Sequence, residues 1–285
     1  MLSTQYHDNE QQFLEEIAQE WNFNDRNKLV FVERFISRDE KLDNNALADD
    51  LKESLILDNS IEDQEGYVAR IVTDYLSKII FPKMKLEGCD FKERHKGKCD
   101  LAKQWLEKTV YPQWLKQTLW KQLKTKTTAR NKVGPVLAGS VGNLGLLHKK
   151  PFLKEVPLNS DILFKVDLDQ PGHLILLERE PSGGICCVCP SEYAPEFQVK
   201  GGEITLPQYP PSPYRAFTAT EEGQEQILAV ITPDKPSLNW LAKSQKEALE
   251  LDHEHLFELL TYLEKCSTSQ VFYTEYLVVD VLKVV

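Results

Sequence analysis

The chain has 285 residues, 34 of them basic and 44 acidic, for a net charge of −10; this is about twice a common domain length and predicts two domains with separate cores. The charge is unevenly spread, with 8 basic and 18 acidic residues in 1–80, 14 and 5 in 81–132, and 12 and 21 in 133–285, so an acidic protein carries one basic segment in its middle. Residues 1–16 are polar and acidic, without an apolar core before a small-residue cleavage site, and no run nears 18 uninterrupted apolar residues; this argues against an export signal and a membrane span and predicts a cytoplasmic protein.

In 9–82 the apolar residues recur at helical spacing, and four helices are expected. Phe13, Ile17 and Trp21 mark the first, Leu29, Val32, Phe35 and Ile36 the second, Leu47, Leu51 and Leu55 the third, and Val68, Ile71, Val72, Tyr75, Leu76 and Ile79 the fourth. Asn24 or Asp25 suits the cap of the second helix and Asn44 or Asn45 that of the third, because their side chains accept the free N–H groups of a first turn. Glu62, Asp63 and Glu65 suit the start of the fourth helix, the positive end of its dipole.

The basic segment 81–132 follows. Residues 101–110 read as a helix, Tyr111 and Pro112 interrupt it, and Pro112 is acceptable as the first residue of a second helix reaching about Lys124. The apolar content then falls, and Gly134-Pro135 marks a change of period, so the domains are expected at 1–132 and 133–285. Strands are expected at 136–140, 162–166, 173–178, 185–188, 203–206, 214–218 and 226–231, separated by Pro171-Gly172, Ser182-Gly183-Gly184, Gly201-Gly202 and a proline-rich loop at 207–213. A helical stretch at 237–263 and one or two closing strands in 271–285 complete the chain. The expected fold is α+β in two domains: a helical bundle with a helix-turn-helix-like core, then an antiparallel β-sandwich or small barrel with one or two helices. No internal repeat or low-complexity tract is evident.

Each candidate site has a plain structural explanation beside the functional one. If the helix-turn-helix outline read DNA, Ile61, Glu62, Asp63, Gln64 and Glu65 would face the duplex, and three carboxylates there would be repelled by phosphates; a bundle or protein-docking module is favoured. The basic segment interleaves Trp105, Tyr111, Trp114 and Trp120 with Lys108, Lys116, Lys121, Lys124 and Lys126, a pattern that suits single-stranded nucleic acid. A buried stripe of Leu115, Leu119 and Leu123 with a solvated lysine face explains it equally and is preferred. Cys89, His95 and Cys99 supply three soft ligands where structural zinc takes four. Cys186, Cys187 and Cys189 crowd into one strand, where Cys187 and Cys189 are expected on one face and Cys186 on the other, as reduced core thiols. In His253-Glu254-His255 the histidines are two apart, whereas a metalloprotease helix needs them four apart. Gly139, Gly142 and Gly145 lack the Gly-Lys-Ser/Thr ending of a phosphate loop and read as a turn. No nucleophile elbow occurs, and no catalytic, cofactor or metal residue is assigned.

The order 158-Leu-Asn-Ser-Asp-Ile-Leu-Phe-Lys-Val-166, Gly172-His-Leu-Ile-Leu-Leu-Glu-Arg-Glu, Gly183-Gly184, Pro190-Ser191, Gly201-Gly202 through Leu206-Pro207, and Gln226-Ile-Leu-Ala-Val-Ile resembles a bacterial β-domain of unknown function. That domain often follows caspase-like peptidase or serine/threonine kinase domains, mainly in cyanobacteria, and the resemblance covers about 136–233. Val30-Phe-Val-Glu-Arg-Phe35, the Asn-Asn-x-Leu-Ala stretch at 44–48 and the helix ending near Tyr75 are similar to helical effector-associated adaptor domains. Together the two resemblances imply a non-enzymatic adaptor or sensor in a bacterial signalling or defence system, without a cofactor, whose partner is a protein such as a caspase-like, kinase or nucleotide-triphosphatase effector. The alternative is a nucleic-acid-binding regulator using 101–132. The expected partner-binding residues are Lys116, Trp120, Lys121, Lys124, Tyr209, Tyr214 and Arg215.

Overall fold

A computed structural model describes residues 2–38, 43–55, 64–91, 97–139, 152–245 and 247–280. The architecture is α+β, and the chain divides into two compact units, Met1–Trp114 and Leu115–Val285. The division falls inside a helix, so 115–132 belongs with the second unit, while the change of composition stands at 132/133. No helix among the described residues is long and apolar enough to cross a membrane.

The first unit is helical: α1 (Leu2–Glu20), α2 (Asp25–Phe35), α3 (Asn44–Leu55), α4 (Gln64–Tyr75), α5 (Phe81–Leu86), α6 (Lys98–Trp105) and the start of α7 (Tyr111–Thr125). Most of the expected stripes are its core, with Phe13, Leu47 and Val68 fully buried, but Ile79 is exposed, and Ile80 and Phe31 are buried instead of it and Leu29. Asn24 caps α2 by accepting from the Asn27 N–H at 2.9 Å. The cap of α3 is Asp43, not Asn44 or Asn45: its Oδ1 accepts from the N–H groups of Asn45 and Ala46. Tyr6, Phe13, Tyr111 and Trp114 form an edge-to-face cluster, and the Trp114 indole donates to Glu16 at 2.9 Å. Ile61, Glu62 and Asp63, expected to open α4, lie outside the described residues, as do His95, Gly142 and Gly145.

Two helix junctions share one device. Five-residue π segments, Leu76–Ile80 and Leu106–Val110, join α4 to α5 and α6 to α7, with the N–H of Phe81 bonded to the Leu76 carbonyl and that of Tyr111 to the Leu106 carbonyl. A proline follows one residue later each time, Pro82 and Pro112. A proline ring clashes with the carbonyl four residues back and offers no N–H, and a widened turn accommodates both defects. Pro112 therefore lies in a helix entered without a break. The flanking sequences match: Tyr75-Leu-Ser-Lys-Ile-Ile-Phe-Pro82 and Trp105-Leu-Glu-Lys-Thr-Val-Tyr-Pro112 repeat an aromatic, Leu, Lys, a β-branched residue, an aromatic and Pro in register. A short internal repeat is present after all.

The second unit holds two sheets. One pairs β1 (Val133–Leu137), β3 (Asp161–Leu168) and β7 (Gly202–Leu206) in that order, with β8 (Phe217–Thr218) also on β3. The other has the order β10 (Leu249–Glu250), β5 (Ile185–Cys189), β4 (Gly172–Arg179), β9 (Gly223–Thr232), β11 (Gln270–Val279) and β2 (Glu155–Pro157), with β6 (Gln198–Val199) on β4. All pairs are antiparallel except β2 with β11. Ile162, Phe164, Val166 and Leu168 of β3 share one core with Leu174 and Leu176 of β4, Ile227, Ala229 and Ile231 of β9, and Phe272, Tyr276 and Val278 of β11. Alternate residues of two strand sets packed together define a sandwich.

The larger sheet is covered on its other face as well. In β9 every residue from 225 to 232 is buried, so Gln226, Leu228 and Val230 cannot face water. Trp120 of α7 is fully buried and donates to Gln226 Oε1 at 2.7 Å, and Lys124 sits 4.6 Å from the ring of Tyr273, the partner of Leu228. Short α8 (Leu241–Ser244) and α9 (His253–Lys265) supply buried Leu241, Leu256, Leu259, Leu260 and Leu263. The helical stretch expected at 237–263 is thus two helices parted by β10, whose Leu249 and Glu250 pair with Cys187 and Cys186.

The cysteine strand corrects the expected alternation. A register shift between Leu176 and Leu177 sets Leu176 opposite Cys189 but Leu177 opposite Cys187. This β-bulge absorbs one residue and turns Cys189 into the sandwich core, on the face of Cys186, while Cys187 faces the helices. All six cysteines are free thiols.

Candidate functional site

The strand alternation that builds the core leads to a polar end. Along β4, the positions of Leu174 and Leu176 continue to Glu178; along β9, Ile231, Ala229 and Ile227 continue to Glu225. Both carboxyl groups therefore point between the sheets. Glu178 stands opposite Ile227 and Glu225 opposite Tyr276, which brings together residues 47 apart in sequence. The space they face is a cavity of about 370 Å³ lined by Ile162, Glu178, Tyr193, Tyr214, Phe217 and Glu225, with Glu180 and Glu221 at its rim.

Burial governs the chemistry of this floor. The carboxyl of Glu178 is pushed up to about 8, mainly by desolvation and further by Glu225 and Glu180. It holds its proton at neutral pH and shares a hydrogen bond with Glu225. Glu225 is only 6 % exposed, and it is raised too, through desolvation opposed by the Tyr276 hydroxyl, which donates to Oε2. Among the described residues, no Lys or Arg comes within ion-pairing distance of Glu178, Glu180 or Glu225. The Cys186 thiol lies 3.8 Å from Glu178 Oε2, and burial with that neighbour drives it up. Burial likewise raises Cys187 to about 12 and Cys189 well above the ordinary thiol range. These are proton-holding groups, poor as nucleophiles.

The aromatic wall is held by two loops stitched together. Gln208 donates to the Glu196 carbonyl at 2.6 Å and accepts from the Glu196 N–H at 2.9 Å, while its own N–H reaches the Tyr193 carbonyl at 2.8 Å. Ser212 donates to the Glu192 carbonyl at 2.7 Å and accepts from the Tyr214 N–H. The rings of Tyr193 and Tyr214 stand 4.6 Å apart and those of Tyr193 and Phe217 5.2 Å. Gly223 shapes the opposite lip: its φ is +132°, and a Cβ there would lie 2.8 Å from Pro181, a cavity residue.

The residues expected to bind a partner separate into two groups. Tyr209, Tyr214 and Arg215 converge beside the cavity; Arg215 lies 4.6 Å from the Tyr209 ring and donates to its hydroxyl at 2.9 Å, and both tyrosines are exposed. In the basic segment Trp120 is buried, Lys116 lies 3.7 Å from Glu250, Lys124 lies 3.9 Å from Glu275 and Lys126 lies 3.7 Å from Glu264. Lys121 is exposed. Leu115, Leu119 and Leu123 are buried as the plain reading of this helix has it. Cys99 accepts from Arg34 Nε at 3.2 Å and Cys89 is buried at a raised value of about 11; among the described residues no three His, Cys, Asp or Glu side chains are placed to hold a metal ion.

Sequence reasoning missed Glu178 and Glu225. Each strand's alternation marks its glutamate as inward-facing, but only the sheet register pairs the two, so no strand pattern alone marks a site. Residues 155–235, which carry most of this cavity, match a family described as a domain of unknown function, DUF4384. Neither a curated protein nor a solved structure matches the chain.

Proposed function

We propose that the protein is a non-enzymatic adaptor or sensor, whose second unit grips a segment of a partner protein at the open end of the sandwich and whose helical unit docks another, in the bacterial signalling or defence setting that the resemblances imply. The observation that carries this reading is the construction of the cavity: Tyr193, exposed Tyr214 and Phe217 line it beside two stitched loops, over a floor of carboxyl groups bonded to each other. Glycoside hydrolysis by a carboxyl pair uses groups about 5 Å or more apart so that a substrate or water fits between them. Glu178 and Glu225 share a hydrogen bond, which leaves no such gap. Aromatic rings on rigid loops provide contact area at little entropic cost and are common recognition anchors.

Selection of displayed random peptides on the full purified chain tests this. Enriched peptides should bind the intact chain and lose about tenfold in affinity or more when Tyr209 and Tyr214 are both replaced by Ala. Failure to enrich any peptide that depends on these two residues overturns the reading.

A further inference from the structure

Resting on the reading of this cavity as a recognition site, we propose that its ligand is a cationic nitrogen group, the ammonium or guanidinium at the end of a basic side chain. Three independent features converge on that chemistry. Glu225 is a nine-tenths buried carboxyl group, hydrogen-bonded by Tyr276 and Glu178, with no Lys or Arg within ion-pairing distance among the described residues. A carboxylate there is costly without a counter-charge, and a cationic ligand placed against it would supply one. Above it stand Tyr193, Tyr214 and Phe217, with ring centroids 4.6 and 5.2 Å apart, whose faces attract a cation. The volume of about 370 Å³ is at the small end of ligand cavities and leaves room for the end of a basic side chain together with neighbouring atoms.

The rim adds selection by sign. Glu180 and Glu221 line the mouth, so an approaching cation is drawn in and an anion is turned away. The local basic group, Arg215, is held on Tyr209. A neutral chain of the same length would fill the space without giving Glu225 a counter-charge, which makes charge the discriminating property.

Calorimetric titration of the full chain at pH 7 tests the proposal with four probes: capped tripeptides centred on Lys, Arg or norleucine, and putrescine as a free amine. The Lys or Arg peptide, or putrescine, should bind at least about tenfold more tightly than the norleucine peptide. Glu225→Gln should remove that preference with the fold retained by circular dichroism, and Tyr214→Ala should weaken cation binding about threefold or more. Preference for putrescine over both basic peptides keeps the cationic class and assigns it to a free amine, against the protein-recognition reading. Equal binding of the norleucine peptide, or no binding of any cationic probe at millimolar concentration, overturns the proposal. Displayed peptides that need Tyr209 and Tyr214 but carry no basic residue would overturn it as well, while leaving the recognition reading intact.

Discussion

Replacing Glu178 by Gln should make the second unit less sensitive to alkali. The folded state holds the Glu178 proton until about pH 8, against an ordinary value of 4.5 in the unfolded chain. Below pH 4.5 both states are protonated and the folded state keeps its full advantage. As pH rises from 4.5 to 8 the unfolded chain releases a proton that the folded one retains, so unfolding gains ground; above 8 both are ionised and the loss is complete. At about 1.36 kcal/mol per pH unit this span corresponds to about 5 kcal/mol at most, and water at the open end of the cavity reduces it to about 2–3 kcal/mol. A Gln amide donates to Glu225 as the protonated carboxyl does, and it does not titrate. Glu178→Gln and the natural chain should therefore be matched near pH 5 and differ by about 2–3 kcal/mol near pH 9, with the variant the more stable. Hydrogen exchange read by mass spectrometry on peptides from β4 and β9, in graded urea at each pH, confines the measurement to this unit. A stability difference that stays constant from pH 5 to pH 9 would refute the reasoning.

Three further outcomes follow from particular contacts. Trp120→Phe removes the indole N–H and leaves buried Gln226 without its donor beside a small cavity, and should cost about 1–3 kcal/mol or more in chemical unfolding of the second unit, only the hydrogen-bond part of which a paired Gln226→Leu should restore. Asp252 caps α9 by accepting from the N–H groups of Glu254 and His255, so Asp252→Ala should lower stability by about 1 kcal/mol, seen as faster exchange of the first turn of α9. Native alkylation with a maleimide, followed by peptide mapping, should label the partly exposed Cys99 and Cys266 first, while Cys187 and Cys189 react only once the second unit unfolds.

The strands legible in the sequence are those whose burial and punctuation agree. In β3, β4 and β9, apolar residues run between Gly or Pro turns, and each strand stands within a few residues of its expected place. Three strands were invisible for a physical reason: β2, β6 and β10 have only two or three residues, too few to show a period, and owe their form to pairing with longer neighbours. The same limit merged α8 and α9, because Leu241, Leu249 and Leu256 fit one helical spacing until Leu249 is claimed by Cys187. Alternation also misplaced Cys189, since a bulge shifts the parity of a strand without any mark in composition. At the site, the loop tyrosines and Arg215 were legible as aromatic and cationic residues among prolines. The glutamates were not, because their meaning depends on register: Glu225 matters through Tyr276 and Glu178, partners that only the sheet brings near.

The burial of β9 on both faces sets what the stretch 155–235 needs around it. Between 155 and 235 the chain lacks β1, β10, β11, α7, α8 and α9, so on its own that stretch would leave β9 as an open edge, β2 without its pairing strand β11, and Leu228 and Val230 uncovered. A bare, apolar edge of this kind invites aggregation. In this chain the matched stretch is therefore smaller than the unit that buries its apolar surface, and the strands and helices on either side of it complete the sheet.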